Sequence, residues 1–439
     1  MFIQIPALRV PMSAKLQVAL DILQGKRAVQ IAREAVEGGA DWIEAGTPLI
    51  KSEGVDIVRR LKKEFPQKII VADLKTMDVG AMEADMAVKS GADVIVVMGV
   101  SGDSTISEAV QAAAKFGAKV MVDLMGVRDP LRRAKEVAAL GAAYVCMHMA
   151  VDEQMGGMTA EKLAPILKKM PIGVAVAGGI TAGSAARLAA AGAEIIIVGG
   201  AITKSADVRG ATRAIKKAIG SKKAGRSKEF KKYTEEELFE AFSKVSTPNI
   251  CDAQHRLGHM KGIKRRNTKE VKMVGKALTA QTLNGDWAKS VEAIDFARPG
   301  DVIVIDAGGG DTAVWGELAT CSAMGKGVTG VVVDGAVRDV DEMNAIGFPC
   351  FSRHVSSDAG EPKGYGGINI TIKCGGQRIR PGDWIIGDAN GVVVVPAENA
   401  VEVANRSLDV LERENRIREE IKRGSTLSKV LELKKWEKV

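Results

Sequence analysis

Between residues 16 and 203 the chain alternates short apolar runs with amphipathic, alanine-rich runs, and it does so eight times. The apolar runs (16–21, 41–46, 68–76, 93–99, 119–126, 144–150, 172–180 and 194–203) have the length of strands. Intervening stretches such as 28–37, 81–89, 106–116 and 183–191 space their apolar residues as a helix does. Several of these helices run into Gly-Ala just before the next strand, at Gly39, Gly91, Gly117, Gly141 and Gly192. Glycine is the usual helix stop because it enters the left-handed conformation at little cost. Eight βα units in roughly 200 residues predict an α/β chain that closes into a (β/α)8 TIM barrel, with its site at the carboxyl ends of the strands. A doubly wound open sheet is the competing architecture, but it does not need eight units of such even spacing.

After residue 232 the pattern changes. A helical start at 234–243 is followed by apolar runs at 301–306, 330–334 and 383–396, each bounded by Gly or Asp, and then by a charged helix at 398–423. This reads as a second α/β domain, and 425–439 as either a short helical tail or a packing arm. The expected division is a barrel over 1–215, a linker over 216–232 and a second domain over 233–439 ending in a helical tail. A length of 439 residues suits two domains of about 200 each.

Composition sharpens this division. The formal charge is +8, and +7 of it lies between residues 216 and 232. There Lys216, Lys217, Lys222, Lys223, Arg226, Lys228, Lys231 and Lys232 face a single acid, Glu229. Gly220, Ser221, Gly225 and Ser227 mark the same stretch as an exposed linker. The two domains are therefore nearly neutral, which argues against nucleic acid as the partner. No run of 18 apolar residues occurs, and the amino terminus has no basic segment leading into an apolar one. Neither a membrane span nor a secretory signal is expected, and the chain reads as cytoplasmic. Five scattered cysteines without C-x-x-C spacing argue against a disulfide framework or a zinc site. His255, His259 and His354 stand alone and read as loop or cap residues.

The candidate chemistry collects at the strand ends. Asp73, Lys75 and Asp78 form D-x-K-x-x-D, in which alternation sends Asp73 and Lys75 to one face and leaves Asp78 in the following loop. Asp21 closes the first strand, Glu44 lies near the end of the second, Asp123 is on the fifth and His148 ends the sixth. Carboxylates crowded beside a lysine and a histidine are costly to bury unless a metal or tight ion pairing offsets them, and oxygen ligands favour Mg²⁺. The last two strands end in Gly178-Gly179 and Gly199-Gly200, where backbone N–H groups can approach a phosphate.

These motifs, together with Leu16–Asp21, Trp42–Leu49 and His148–Gln154, resemble the 3-hexulose-6-phosphate synthase family of the orotidine 5'-monophosphate decarboxylase superfamily, over about residues 12–215. The resemblance implies an aldolase that joins formaldehyde to ribulose 5-phosphate, or cleaves the hexulose phosphate in reverse. It implies Mg²⁺, with Mn²⁺ as a substitute, on Glu44 and Asp73. It implies proton handling by Lys75 and His148 with Asp21, phosphate binding at the glycine pairs, and a dimer in which Asp78 reaches the neighbouring subunit's site. A rival within the superfamily, 3-keto-L-gulonate 6-phosphate decarboxylase, has a basic stretch after the histidine. Here Met149-Ala150-Val151 supplies no arginine, which favours the aldolase.

In the second domain Glu317 precedes Arg338-Asp339, an order suited to a metal-chelated 2-oxo acid with arginine on the carboxylate. From Asn249 to Pro396 the chain resembles the RraA-like family, which includes ribonuclease regulators and 4-hydroxy-4-methyl-2-oxoglutarate aldolases, often trimeric. That resemblance implies an RraA-like α/β domain with either a lyase-like pocket or a regulatory or oligomerising role.

Overall fold

Parallel strands β1 Lys15–Leu20, β2 Trp42–Ala45, β3 Ile69–Thr76, β4 Val94–Met98, β5 Lys119–Asp123, β6 Tyr144–His148, β7 Gly173–Ala177 and β8 Ile195–Val198 close into a barrel when β8 pairs with β1. The computed structural model describes residues 14–156, 158–222, 231–267 and 270–437. All eight expected strands are present, and the expected helices lie between them. The five Gly-Ala junctions have glycine φ between +74° and +108°, so a side chain there would be strained.

The eighth run is corrected. It was expected to be extended to residue 203, but β8 stops at Val198 and Gly200–Thr203 is a helical turn. Gly199 leaves the extended region, and its carbonyl accepts the N–H groups of Ile202 and Thr203. The apolarity of that stretch reflects the burial of Ile202, not strand pairing.

Strand alternation sorts the barrel. Leu16, Val18, Leu20 and Ile43 point outward against the helices, in a cluster where each fully buried aliphatic side chain contributes about 1.5–3 kcal/mol. Ala19, Val71, Met121, Cys146 and Ala175 point inward and fill the centre. Below them Trp42 and Tyr144 meet edge to face at 5.6 Å. Two residues further along the same strands come Asp21, Asp73, Asp123 and His148, so the polar layer is the next layer up.

By packing, the chain forms two compact units. One holds the described residues of Met1–Gln154, Met158–Lys232 and Glu412–Val439, and the other those of Met155–Gly157 and Tyr233–Leu411. This differs from the expected division in two places. The helix Val208–Ser221 carries the chain to residue 221, and its Lys216 pairs with Asp41, so the basic stretch does not begin as a linker. Residues 223–230 of that stretch lie outside the described residues. The tail after residue 411 belongs to the barrel unit rather than to the second domain, and it folds into helices Leu427–Val430 and Leu433–Trp436.

In the second unit, β10 Met273–Gln281, β11 Asp301–Asp306, β12 Gly330–Val337 and β13 Cys350–Val355 run parallel in that order. The antiparallel pair β17 Trp384–Asp388 and β18 Gly391–Val395 extends the sheet beyond β10, and β9 Lys264–Arg265 borders β13. β14 Gly367–Ile368 also pairs with β10, while β15 Ile372–Cys374 and β16 Gln377–Ile379 form a separate hairpin.

Candidate active site

The strand carrying D-x-K-x-x-D is irregular where the motif begins. Ala72 pairs with Ile95 and Thr76 with Val97, so four residues of β3 advance against two of β4. Lys75 takes φ +51°, a conformation that costs a non-glycine residue about 1 kcal/mol or more. This bulge, rather than simple alternation, sets the lysine. Its Nζ lies 3.0 Å from Asp73 Oδ2 and 3.1 Å from Asp123 Oδ2.

Asp123 joins Lys75 to His148. Its Oδ2 also lies 2.7 Å from His148 Nδ1, and its Oδ1 accepts the Met125 N–H at 2.9 Å. Burial works against the Asp123 charge, but the His148 hydrogen bond and the charges of His148 and Lys75 outweigh it and hold this carboxyl below its ordinary range. Burial likewise opposes the Lys75 charge. The Asp73 and Asp123 carboxylates prevail, and the ammonium is held far above its usual range. Lys75, Asp123 and His148 thus form a continuous path that can hold or move a proton.

The other acids are in the opposite situation. Glu44 is buried, and its carboxyl is pushed well up by that burial and then by the charges of Asp73 and Asp21. Asp21 stands at the barrel mouth, where crowding by protein and the Asp73 charge push it up as well. Its carboxylate is seated against glycines at two strand ends. A Cβ on Gly46 would come within 2.2 Å of Asp21 Oδ1, and one on Gly199 within 3.3 Å of Oδ2. Gln17 Nε2 donates to Glu44, while the buried Gln17 Oε1 has no partner among the described residues. Thr47 Oγ1 donates to Asp73 Oδ2 at 2.9 Å. Three mutually repelling carboxylates and an unpaired amide oxygen are a donor set that fits a hard divalent cation.

Asp123, Cys146 and His148 form a second set of possible ligands, their atoms lying within 4.8 Å of one another. This is not the expected Glu44 and Asp73 pair. Burial pushes the Cys146 thiol well above its ordinary value, which keeps it protonated and a poor ligand, and His148 already uses Nδ1 on Asp123.

The glycine pairs differ from each other. Gly178 and Gly179 have φ +110° and +61°, and Gln154 covers them, with its Oε1 2.7 Å from where a Gly179 Cβ would stand. Thr181 then caps the helix Ala182–Ala190. At the other pair, the Lys204 Nζ lies 3.4 Å from a Cβ placed on Gly200. Asp78 is not brought to the cluster within this chain. It is exposed beyond β3, and its Oδ1 accepts the Val79 N–H at 2.8 Å.

In the second unit Asp339 meets the backbone of Glu317, whose carboxylate accepts from Cys321 Sγ at 3.1 Å. Asp339, at φ +56°, accepts the Glu317 N–H on Oδ2 at 3.0 Å, and Arg338 Nε is 3.7 Å from the same oxygen. Gly316 admits this contact, since a Cβ there would stand 2.5 Å from Asp339 Oδ2.

Residues 14–215 match the family described as orotidine 5'-phosphate decarboxylase / HUMPS, and 247–394 match the RraA-like family described as Aldolase/RraA. Over 206 residues the chain is 44% identical to the 3-hexulose-6-phosphate synthase of Mycobacterium gastri, covering 47% of this chain and 99% of that protein. The chain belongs to the orotidine 5'-phosphate decarboxylase / HUMPS family. Another HUMPS relative, the 3-hexulose-6-phosphate synthase of Bacillus subtilis, is 40% identical over 195 residues, covering 44% of this chain and 92% of that protein. A solved 3-hexulose-6-phosphate synthase structure, 44% identical, aligns with a TM-score of 0.46 over 47% of this chain and 99% of that one. The chain therefore joins a HUMPS barrel to an RraA-like domain.

Sequence reasoning did not single out Gln17, Gly46, Thr47 or Lys204. Gln17 was within reach, because it shares the inward parity of Ala19 and Asp21. Thr47 opens the helix Thr47–Glu53 and Lys204 follows the helical turn Gly200–Thr203, so neither is marked by strand periodicity.

Proposed function

We propose that the barrel is a carbon–carbon lyase of the 3-hexulose-6-phosphate synthase type, condensing formaldehyde with ribulose 5-phosphate or running the reverse cleavage. The observation that carries this reading is the Lys75–Asp123–His148 chain beside the Asp21, Glu44 and Asp73 carboxylates.

With Asp123 holding His148 through Nδ1, the other ring nitrogen is left to take a proton from C1 of the ketose. The carbon–hydrogen electron pair moves into an enediolate, whose C1 attacks the formaldehyde carbon. The formaldehyde oxygen then gains a proton, giving the 3-hexulose 6-phosphate. Lys75, held charged between Asp73 and Asp123, stabilises the developing oxyanion or supplies that proton. Glu44 and Asp73 would hold Mg²⁺, or Mn²⁺ in its place, with Asp21 and the Gln17 oxygen beside them. When bound, the cation polarises the ketose oxygens. Gly178, Gly179, Gly199 and Gly200 would receive the phosphate, with Lys204 nearby.

Asp78 would act in a partner subunit's site, which makes the functional barrel a dimer. Glu317, Arg338 and Asp339 would form a separate carboxylate-binding pocket of the RraA-like domain, whose contribution is either a second lyase activity or assembly, including a trimer. The absence of any described helix long and apolar enough to cross a membrane is consistent with work in the cytoplasm. The decarboxylase alternative has less support, since the relatives at 44% and 40% identity are named synthases.

Formaldehyde disappearance, measured with Mg²⁺ and ribulose 5-phosphate and with EDTA and Asp73→Ala controls, tests the reading. Consumption that needs metal and is lost in the variant supports it. CO₂ release from 3-keto-L-gulonate 6-phosphate without formaldehyde uptake would hand the site to the decarboxylase.

A further inference from the structure

The tail that folds back into the barrel unit touches three successive βα connections, two of them in their loops and the third in the helix Thr47–Glu53. These follow β8, β1 and β2, which are neighbours in the barrel. Arg416 is 1% exposed, and its Nη1 donates to the carbonyls of Ser205 and Ala206 at 3.3 and 3.4 Å. Arg423 Nη2 donates to the Ala206 carbonyl at 3.1 Å. Glu34, on the helix that follows the Asp21 loop, pairs with both arginines, at 3.5 and 3.1 Å. Further along, Lys435 Nζ donates to the Leu23 carbonyl at 3.0 Å and to Ser52 Oγ at 2.7 Å.

A charge is expensive to bury unless every donor is used, so a helix end that served only to solubilise the chain would leave its arginines in water. Here a planar guanidinium grips consecutive peptide carbonyls, the geometry that fixes a backbone rather than merely neutralising a charge. The gripped loop, 199–207, begins at Gly199-Gly200 and ends at Asp207, which caps the next helix by accepting the Gly210 N–H at 2.8 Å. A cavity of about 430 Å³ beside this seam is lined by Lys26, Arg27, Arg423 and Lys429 among others, but Glu34 and Glu420 already pair with Arg27, Arg416 and Arg423. It is a junction of ion pairs rather than a ligand site.

We propose that residues 412–437 complete the phosphate side of the barrel site, with Arg416 and Arg423 as positioning residues that hold the loop 199–207 in its binding conformation. The inference rests on the reading of Gly199-Gly200 as a phosphate site. The loop of a TIM barrel needs no partner from elsewhere in the chain to form, but its amides must be held still to bind an anion at low entropic cost.

The test uses the full chain with Arg416→Lys, which keeps the charge and loses the fork. Three quantities are measured: KM against kcat for ribulose 5-phosphate, inorganic phosphate binding by calorimetry, and hydrogen exchange of the amides of 200–207. The expected result is KM and phosphate Kd raised about tenfold, kcat within about twofold, and faster exchange confined to the loop. Unchanged exchange at 200–207 overturns the proposal whatever the enzyme does, and so does a lower melting temperature with KM and phosphate affinity intact. If Arg416→Lys does not fold, Arg423→Gln combined with Lys435→Met is expected to shift the same three readouts in the same direction, and no shift overturns the proposal. A parent protein that takes up neither phosphate nor formaldehyde removes the functional reading instead. The exchange comparison separates that failure from this one.

Discussion

Asp123 and His148 share a 2.7 Å contact at the top of the barrel, made through the same carboxylate oxygen that receives Lys75. Replacing Asp123 by Asn keeps the shape and removes the charge. We expect kcat to fall by about 10²–10⁴ with the fold retained, measured by formaldehyde consumption and thermal unfolding. The folded-state pKa of Asp123 is depressed, so its stabilisation is fully present above the ordinary value of 3.8 and is lost as pH falls through the folded value. The Asn variant should lack that acid-side loss, so its stability should fall less than that of the parent below about pH 4.

Lys75 combines a catalytic position with a strained backbone. Lys75→Ala and Lys75→Gly should both lose activity by orders of magnitude, as should Asp73→Ala. Because φ is +51°, glycine suits the position better than alanine, and Lys75→Gly should be the more stable of the two lysine variants by about 1 kcal/mol. Equal melting temperatures would mean that the bulge relaxes in the variants.

Glu44 and Asp21 have raised carboxyl pKa values, so each prefers its proton in the folded protein. The sign follows directly. Above their unfolded values these groups cost stability, and a cation that replaces the protons recovers it. Mg²⁺ should therefore bind more tightly as pH rises through the raised values, release protons on binding and raise the melting temperature, and EDTA should abolish activity. Calorimetry in buffers of different ionisation enthalpy checks the proton release. A pH-independent affinity would move the metal away from these carboxylates.

Arg338 belongs to the other unit, where it lies 3.7 Å from Asp339. Arg338→Ala should leave formaldehyde consumption within about twofold of the parent, since the residue is no part of the barrel's chemistry. A large loss would reveal coupling between the two activities.

Periodicity made the barrel legible, because eight strands buried between a packed centre and a ring of helices read as unbroken apolar runs separated by helical faces. The polar layer was legible because Asp21, Asp73, Asp123 and His148 share the inward parity of the core residues below them. What escaped is what parity cannot encode. The β3 bulge is set by local backbone geometry, and the helical turn after Gly199 hid behind apolar residues that read equally well as strand. The destination of 412–437 was hidden too, because Arg416 and Arg423 carry the same charges whether a helix end lies in water or is buried against Glu34.

That last feature has a consequence for biosynthesis. Arg416 is made about 200 residues after β8 has left the ribosome, which at a synthesis rate of about 5–20 residues per second is a delay of roughly 10–40 s. During that interval all eight strands can close, while the loop 199–207 and the Glu34 carboxylate wait without their arginines. Each newborn molecule would thus pass through a closed but unfastened barrel, and the last part of its site to mature would depend on a segment encoded beyond the second domain.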